Sequence, residues 1–274
     1  MSKNVYAIVL GASSGLGKAT AEALAKMGFN IYGIHMDMGA NKAKAEEFRQ
    51  ELEGLGVKAK FFNINAADDE KRMQVVEEIK KDQANEEGHK LRVLVHSLAF
   101  GALKKLVSRD KAEMVNRKQI EMTMDVMANS LIYWVQDLFS NNVLADNSRI
   151  FAFTSIGGYM GMKNYGAVSA AKAALESYIR QIAIELAPWG ISANSILAGL
   201  TPTPAAGKIP GYDTMLRLAQ EQNPYLDITT VEKVAKVVCK FVDEDFNWVN
   251  GTVITVDGGE AIYKYFDFES ENKA

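Results

Sequence analysis

Short runs of β-branched and aromatic residues alternate with longer stretches of helical periodicity along almost the whole chain, and this alternation constrains the architecture more than any other feature. Val5 to Leu10 reads as a strand and Ala19 to Met27 as a helix; Ile31 to Ile34 and Lys42 to Leu55 repeat the pair. Val57 to Ile64 (strand), Asp69 to Lys81 (helix), Leu91 to Val95 (strand), Lys118 to Phe139 (one long helix), Arg149 to Thr154 (strand) and Tyr165 to Ala187 (helix) continue the pattern. A strand over Ser192 to Ile196, a loop rich in proline and glycine, helices around Thr214 to Gln222 and Val231 to Val242, and a last strand over Thr252 to Val256 complete it. Strands joined by helical crossovers lie parallel, and the crossovers cover both faces of the sheet. The expectation is a single α/β domain over residues 1–262, a doubly wound parallel sheet, followed by a C-terminal tail at 263–274.

The 274 residues are 48% hydrophobic and 24% charged, enough apolar material for one large core and too much for a disordered chain. The net charge of −3 is spread along the chain, so no basic footprint for nucleic acid stands out. Cys239 is the single cysteine, which excludes an intrachain disulfide and a thiolate pair for zinc, and its apolar helical surroundings place it in a core. Histidines at 35, 89 and 96 lack metal-ligand spacing, so no metal is expected. The N-terminal segment lacks the layout of a cleavable signal, and the apolar stretch Val93 to Leu103 falls short of the ~18 residues of a membrane helix. A cytoplasmic location without membrane association is expected. The charged stretch Lys80 to Lys90 reads as a solvated helix end and loop; in the tail, Tyr263, Tyr265, Phe266 and Phe268 among charges leave disorder and subunit contact equally open.

The first strand runs directly into Gly11-Ala12-Ser13-Ser14-Gly15-Leu16-Gly17, followed by a helix of small residues. Glycines let the backbone turn tightly and approach an anion, while free amides and the positive end of a helix dipole attract it, so this is where a dinucleotide diphosphate would lie. The fold is then Rossmann-type. An acid at the end of the second strand would bind a free adenosine ribose hydroxyl. Here His35 takes the usual position and Asp37 follows two residues later, with Lys42 and Lys44 beyond; Asp37 argues for NADH, while the missing acid at 35 and the nearby cations tolerate NADPH.

The ordered set of motifs resembles the short-chain dehydrogenase/reductase superfamily over nearly the whole chain: the Gly11 to Gly17 loop, Asn65 after the third strand, Ser155 after the fifth, Lys172 in the next helix, Asn194 to Thr203 after the sixth, and Val256-Asp257-Gly258-Gly259. Most members carry Tyr-x-x-x-Lys, which would put tyrosine at 168, where this chain has Val168. Tyrosine stands instead at 165, a Tyr-x6-Lys spacing about 20° short of two helical turns, so that both side chains still share a face. That spacing, together with Val95-His96-Ser97-Leu98-Ala99-Phe100, resembles the bacterial enoyl-acyl-carrier-protein reductases.

The resemblance implies an oxidoreductase that moves hydride from NADH or NADPH to the β-carbon of an enoyl thioester carried on acyl-carrier protein or coenzyme A, usually as a homotetramer. It implies Tyr165, Lys172 and Ser155 as catalytic residues. Gly11, Ser13, Ser14, Gly15, Leu16, Gly17, His35, Asp37, Asn65, Ser97, Ala99, Lys172, Thr201 and Thr203 would surround the cofactor. In an enoyl thioester the charge gathers on the thioester oxygen, away from the carbon that receives hydride, so a phenol one turn nearer the helix start can meet it. Lys172 would hold the nicotinamide ribose and, as a cation, favour ionisation of the phenol. Departures remain: the best-known branch of these reductases has a second tyrosine where this chain has Ser155, and the asparagine usual in the long helix is Met127. Tyr159, Met160, Met162 and the loop from Pro202 to Tyr212 either line an acyl channel or fill the core, and the same loop is a candidate lid. The alternatives are a carbonyl or hydroxysteroid-type oxidoreductase and a nucleotide-sensing binding protein of the same fold.

Overall fold

The computed structural model describes residues 4–263, so the tail residues Tyr265, Phe266 and Phe268 lie outside the described residues. Its strands are β1 (Val5–Leu10), β2 (Asn30–His35), β3 (Ala59–Asn63), β4 (Lys90–His96), β5 (Leu144–Ser155), β6 (Ser192–Ala198) and β7 (Val253–Val256). The helices are α1 (Gly15–Lys26), α2 (Ala40–Gly54), α3 (Asp69–Asn85), α4 (Arg117–Met124), α5 (Ser130–Ser140), α6 (Gly166–Leu186), α7 (Tyr212–Gln222) and α8 (Val231–Phe241). The seven strands form one sheet in the order β3-β2-β1-β4-β5-β6-β7, with every neighbouring pair parallel. The strand order reverses between β1 and β4, and in such sheets the crevice beyond the carboxyl ends of those strands is where ligands bind.

The period-two alternation of strand side chains divides the core into two layers. Ile8, Leu10, Leu94, Ile150 and Ala152 face α3, α5 and α6 through Val76, Ile79, Leu131, Trp134, Val168 and Leu175. Ala7, Val9, Val93, Val95, Phe151 and Phe153 face α1, α2 and α8 through Leu24, Phe48, Leu52, Val234 and Val238, with Cys239 partly buried against them. Each of the fully buried leucines and valines contributes about 1.5–3 kcal/mol by leaving water. Helix starts follow their caps: Asp68 accepts from the Lys71 amide, Thr230 from the Lys233 amide, and Asn116 and Gln119 form a reciprocal box that starts α4 at Arg117.

Three expectations need correction. The helix read as continuous from Lys118 to Phe139 contains a π-turn at Asp125–Asn129. Thr123 Oγ1 donates to the Gln119 carbonyl at 2.7 Å and Ser130 Oγ to the Val126 carbonyl at 2.8 Å, back-bonds of the kind that bend a helix. The stretch Lys80 to Lys90 is more than a solvated end: α3 continues to Asn85, Asp82 and Glu86 accept from the hydroxyls of Tyr32 and Tyr6, and His89 is buried. β5 also begins earlier than Arg149, at Leu144, through an irregular register against β4.

Candidate active site

Three loops converge over the carboxyl ends of β1, β4 and β6. Gly11 has φ +88°, and a Cβ there would lie 2.5 Å from the Ser97 carbonyl oxygen; a Cβ on Gly17 would strike the Gly11 carbonyl and come within 3.2 Å of Ser97 Cβ. Gly15 has φ +54°, and a Cβ there would lie 3.3 Å from the Thr203 methyl. These positions are held by glycine because the backbone turns left-handed or is approached too closely for any side chain. The loop fits a dinucleotide diphosphate: α1 has no acid in its first turn, and its N-cap Ser14 is not committed to a side-chain cap bond. Ser13 is half-buried in the loop, and Leu16 packs into the second core layer.

The other residues expected at the cofactor are placed less closely. His35 Nδ1 lies 2.8 Å from Asp37 Oδ2, and the Asp37 main chain is clasped by Asn63 at 2.9 and 3.0 Å, so the two residues form one unit after β2. Asn65 is exposed after β3 and accepts from the Ala67 amide at 3.1 Å; Ala99 is exposed downstream of Ser97. Thr201 is buried with its hydroxyl turned to the Gly199 carbonyl at 2.8 Å, whereas Thr203 stands at the start of α1. The Val256 to Gly259 motif has a structural role here: Asp257 accepts from the Gly259 and Ala261 amides, both at 2.8 Å, and holds the turn after β7.

α6 and the residue before it lay the phenol and the ammonium against the end of β5. Asn164 adopts φ +61°, which asparagine tolerates better than most residues, and turns the chain so that Tyr165 caps α6. Tyr165 is 9% exposed and its hydroxyl lies 3.3 Å from Ser155 Oγ. Lys172 is 6% exposed and its ammonium donates to the Phe153 carbonyl at 2.6 Å. Burial raises the Tyr165 phenol above its ordinary value, with Ser155 pulling slightly the other way. Burial pushes the Lys172 ammonium down to about 8, and Glu176 opposes the shift. In this structure the Lys172 ammonium is bound to the Phe153 carbonyl, and the shift of the phenol comes from burial and Ser155.

At the position where most of the superfamily has tyrosine, Val168 is buried, and its methyl, the Met127 sulfur and the Thr123 methyl close over Gly101, each within 2.8 Å of where a Cβ would stand. The site of a carbonyl-reducing phenol is thus filled by apolar atoms. Met162 packs beside the Tyr165 ring near Gly157, and Ile209 from the 202–212 loop joins the same core layer, while Tyr159 and Met160 remain exposed. Leu106 covers Gly166, next to Tyr165.

Two buried polar residues of the site were not picked out as site residues from the sequence. Glu176 accepts from Thr154 at 2.5 Å and from the Tyr159 hydroxyl, one turn along α6 from Lys172; an acid four residues after the lysine on an apolar face was its signal. Ser130 lies 2.9 Å from His96 Nε2, a contact created by the π-turn and without a sequence signal. No group of three or more metal-ligating residues occurs among the described residues, and none of their helices is long and apolar enough to cross a membrane.

A family profile described as Enoyl-(Acyl carrier protein) reductase matches residues 11–260. The chain is 28% identical over 221 residues to the enoyl-[acyl-carrier-protein] reductase [NADPH] FabI of Staphylococcus aureus (strain MRSA252), covering 79% of this chain and 83% of that protein. It is 26% identical to the 3-oxoacyl-[acyl-carrier-protein] reductase FabG of Buchnera aphidicola subsp. Baizongia pistaciae, covering 92% and 96%. The crystal structure of the enoyl-[acyl-carrier-protein] reductase (NADH) from Aquifex aeolicus VF5 superposes with a TM-score of 0.81 at 22% identity, covering 95% of this chain and 98% of that one, which shows the shared fold. With the glycine cradle, the parallel sheet and a profile match across nearly its whole length, this chain belongs to the enoyl-(acyl carrier protein) reductase family, oxidoreductases of short-chain dehydrogenase/reductase type.

Proposed function

We propose that the protein is an enoyl-thioester reductase of fatty-acid synthesis, using NADH or NADPH and acting on trans-2-enoyl groups carried by acyl-carrier protein or coenzyme A. The observation that carries this reading is the displaced phenol: Tyr165 caps the start of α6, while Val168 fills the position one turn on with apolar atoms. When bound, the nicotinamide supplies hydride to the β-carbon. Tyr165, kept protonated by burial, donates a hydrogen bond to the thioester oxygen and stabilises the enolate that gathers charge there. Ser155, 3.3 Å from the phenol, orients it. Lys172 leaves the Phe153 carbonyl to hold the nicotinamide ribose hydroxyls, and the Gly11 to Gly17 loop with Thr203 binds the diphosphate. Met162, beside the Tyr165 ring, keeps water from the enolate and contacts the acyl chain. The reading includes a cytoplasmic homotetramer, which sedimentation of the purified protein checks.

The test is purified protein with crotonyl thioester, a panel of ketones, and NADH or NADPH, followed at the absorbance of the reduced nicotinamide. Turnover of the enoyl thioester is expected. Turnover of ketones alone would establish the carbonyl-reductase alternative, and tight cofactor binding with no turnover would establish the sensor.

A further inference from the structure

His96 ends β4 and is 0% exposed, on the sheet face that α6 and the π-turn cover. Its Nε2 lies 2.9 Å from Ser130 Oγ, and that hydroxyl already gives its single proton to the Val126 carbonyl at 2.8 Å. Ser130 can therefore only accept from the ring, which fixes the proton on Nε2 and leaves Nδ1 as a lone pair. Among the described residues no hydrogen-bond partner reaches Nδ1. The ring is kept neutral: burial first, and the Lys172 ammonium nearby second, push it down to about 3, against a smaller opposing contact with its own main chain that falls short of hydrogen-bond geometry at Nδ1. His96 is in register with Ala152, the residue before the Phe153 carbonyl that holds the Lys172 ammonium, so a neutral acceptor lies beside the one cation expected at the nicotinamide ribose. Buried acceptors are ordinarily satisfied by protein or by ordered water.

We propose that His96 is a positioning residue for Lys172: its Nδ1 lone pair accepts from the lysine ammonium, through one bridging water, when that ammonium leaves the Phe153 carbonyl to bind the cofactor ribose. The groups that act on the lysine are Glu176 on its own helix, the Phe153 carbonyl on β5 and His96 on β4, and Ser130 on α5 faces the histidine. The histidine takes the part of an uncharged acceptor that neither gains nor loses its proton in the working pH range. The inference rests on the reading of Lys172 as the ribose-binding cation and is independent of which acyl substrate is reduced.

The experiment pairs two variants with one spectrum. Asparagine places an amide near the position of Nδ1, and glutamine places one near Nε2. His96→Asn should keep NADH or NADPH affinity within about twofold of the parent, and His96→Gln, which preserves the contact to Ser130, should lose roughly tenfold and shift the alkaline limb of the affinity profile to lower pH. Affinity is read by cofactor fluorescence from pH 6 to 9 and folding by thermal melting, so no turnover is needed. The ¹⁵N spectrum of the histidine-labelled apoprotein should show His96 neutral with its proton on Nε2. Equal affinity profiles for the two variants, or a proton found on Nδ1, would overturn the proposal. If enoyl thioester were not reduced while the variants diverged as stated, the substrate assignment would fail and the role of His96 would stand.

Discussion

At the N-terminal end of the strands, Tyr6 donates to Glu86 at 2.6 Å, Tyr32 donates to Asp82 at 2.9 Å, and the His89 ring stacks on Tyr6 with centroids 3.9 Å apart. At the C-terminal end, Tyr165 has the 3.3 Å contact with Ser155, Lys172 has one carbonyl, and His96 has one serine. Both ends bury tyrosine and histidine, but the lower end ties its hydroxyls to carboxylates that Lys58 and Lys60 neutralise in turn. Burial and the neighbouring acids together push both lower tyrosines far above their ordinary value, so they are fixed as structural donors. The upper phenol is raised by burial with only a neutral hydroxyl beside it, which leaves its donor free to be taken by an incoming oxygen. A cleft of about 550 Å³ borders the lower cluster, lined by Tyr6, Tyr32, Lys58, Lys60, Asp82 and Glu86 among others. Its Tyr6, Tyr32, Lys58, Lys60, Asp82 and Glu86 side chains already pair with one another.

The comparison breaks most sharply on the tyrosines. Tyr165→Phe should lower kcat on the enoyl thioester by about 10²–10⁴ while leaving cofactor affinity and the melting temperature close to the parent. Tyr32→Phe should do the reverse, costing about 1–3 kcal/mol of stability by stranding His89 Nε2 and leaving Asp82 with Lys60 alone, with turnover intact. Steady-state kinetics and denaturant melts on both variants check the pair; a stable, fully active Tyr165→Phe protein would erase the distinction between the two ends.

The lysines and histidines sharpen it next. The Lys172 ammonium falls from its usual 10.5 to about 8 in the fold, so cofactor affinity should decline as pH rises through about 8. Between about 8 and 10.5 the unfolded chain binds the extra proton, so this group's contribution to stability rises with pH as affinity falls. Urea melts beside fluorescence titrations would see the two trends run in opposite directions. His89 is also held neutral by burial, below its usual 6.5, so the unfolded chain gains the proton first and stability is lost as pH falls below about 6.5. Because His89 lies at the lower end, His89→Gln should flatten that acid limb without changing cofactor affinity. His89 also has an Nδ1 without a partner among the described residues, so an asparagine and glutamine pair there is the control for the pair at His96.

The smallest expected effect is at Glu176. Its carboxylate supports the Lys172 charge and accepts from Thr154 and Tyr159, so Glu176→Gln should keep the fold and move the alkaline limb of cofactor affinity to lower pH, by a few tenths of a unit to about one unit. An unmoved limb would mean that burial alone sets the lysine.

Seven strands and their parallel arrangement were legible because the central strands, buried on both faces, and the partly exposed edge strands β3 and β7 all read as short apolar runs bounded by glycine or polar residues, and the crossovers carry their own amphipathic period. Gly11, Gly15 and Gly17 were legible for the same kind of reason, since a left-handed or crowded backbone leaves glycine as the residue of choice. The π-turn at 125–129 was not, because it depends on which carbonyls Thr123 and Ser130 choose, and a helical period reads alike through one widened turn. For the same reason the Ser130 partner of His96 had no sequence signature, although His96 itself stood out among the apolar residues of β4. The buried network of Tyr6, Tyr32, Asp82, Glu86 and His89 joins residues up to 83 positions apart and looks on paper like a charged helix end. The Asp37 carboxylate was visible from spacing, but its pairing with His35 required the turn after β2 that brings them to 2.8 Å.

The central claim is that the phenol at the start of α6 meets the thioester oxygen. A crystal structure of the protein with reduced cofactor and an unreactive enoyl-thioester analogue tests it most directly. The account predicts Tyr165 Oη within about 2.5–3.0 Å of the thioester oxygen, with the β-carbon facing the nicotinamide. A thioester oxygen bound elsewhere, with the Tyr165 hydroxyl still directed at Ser155, would contradict it.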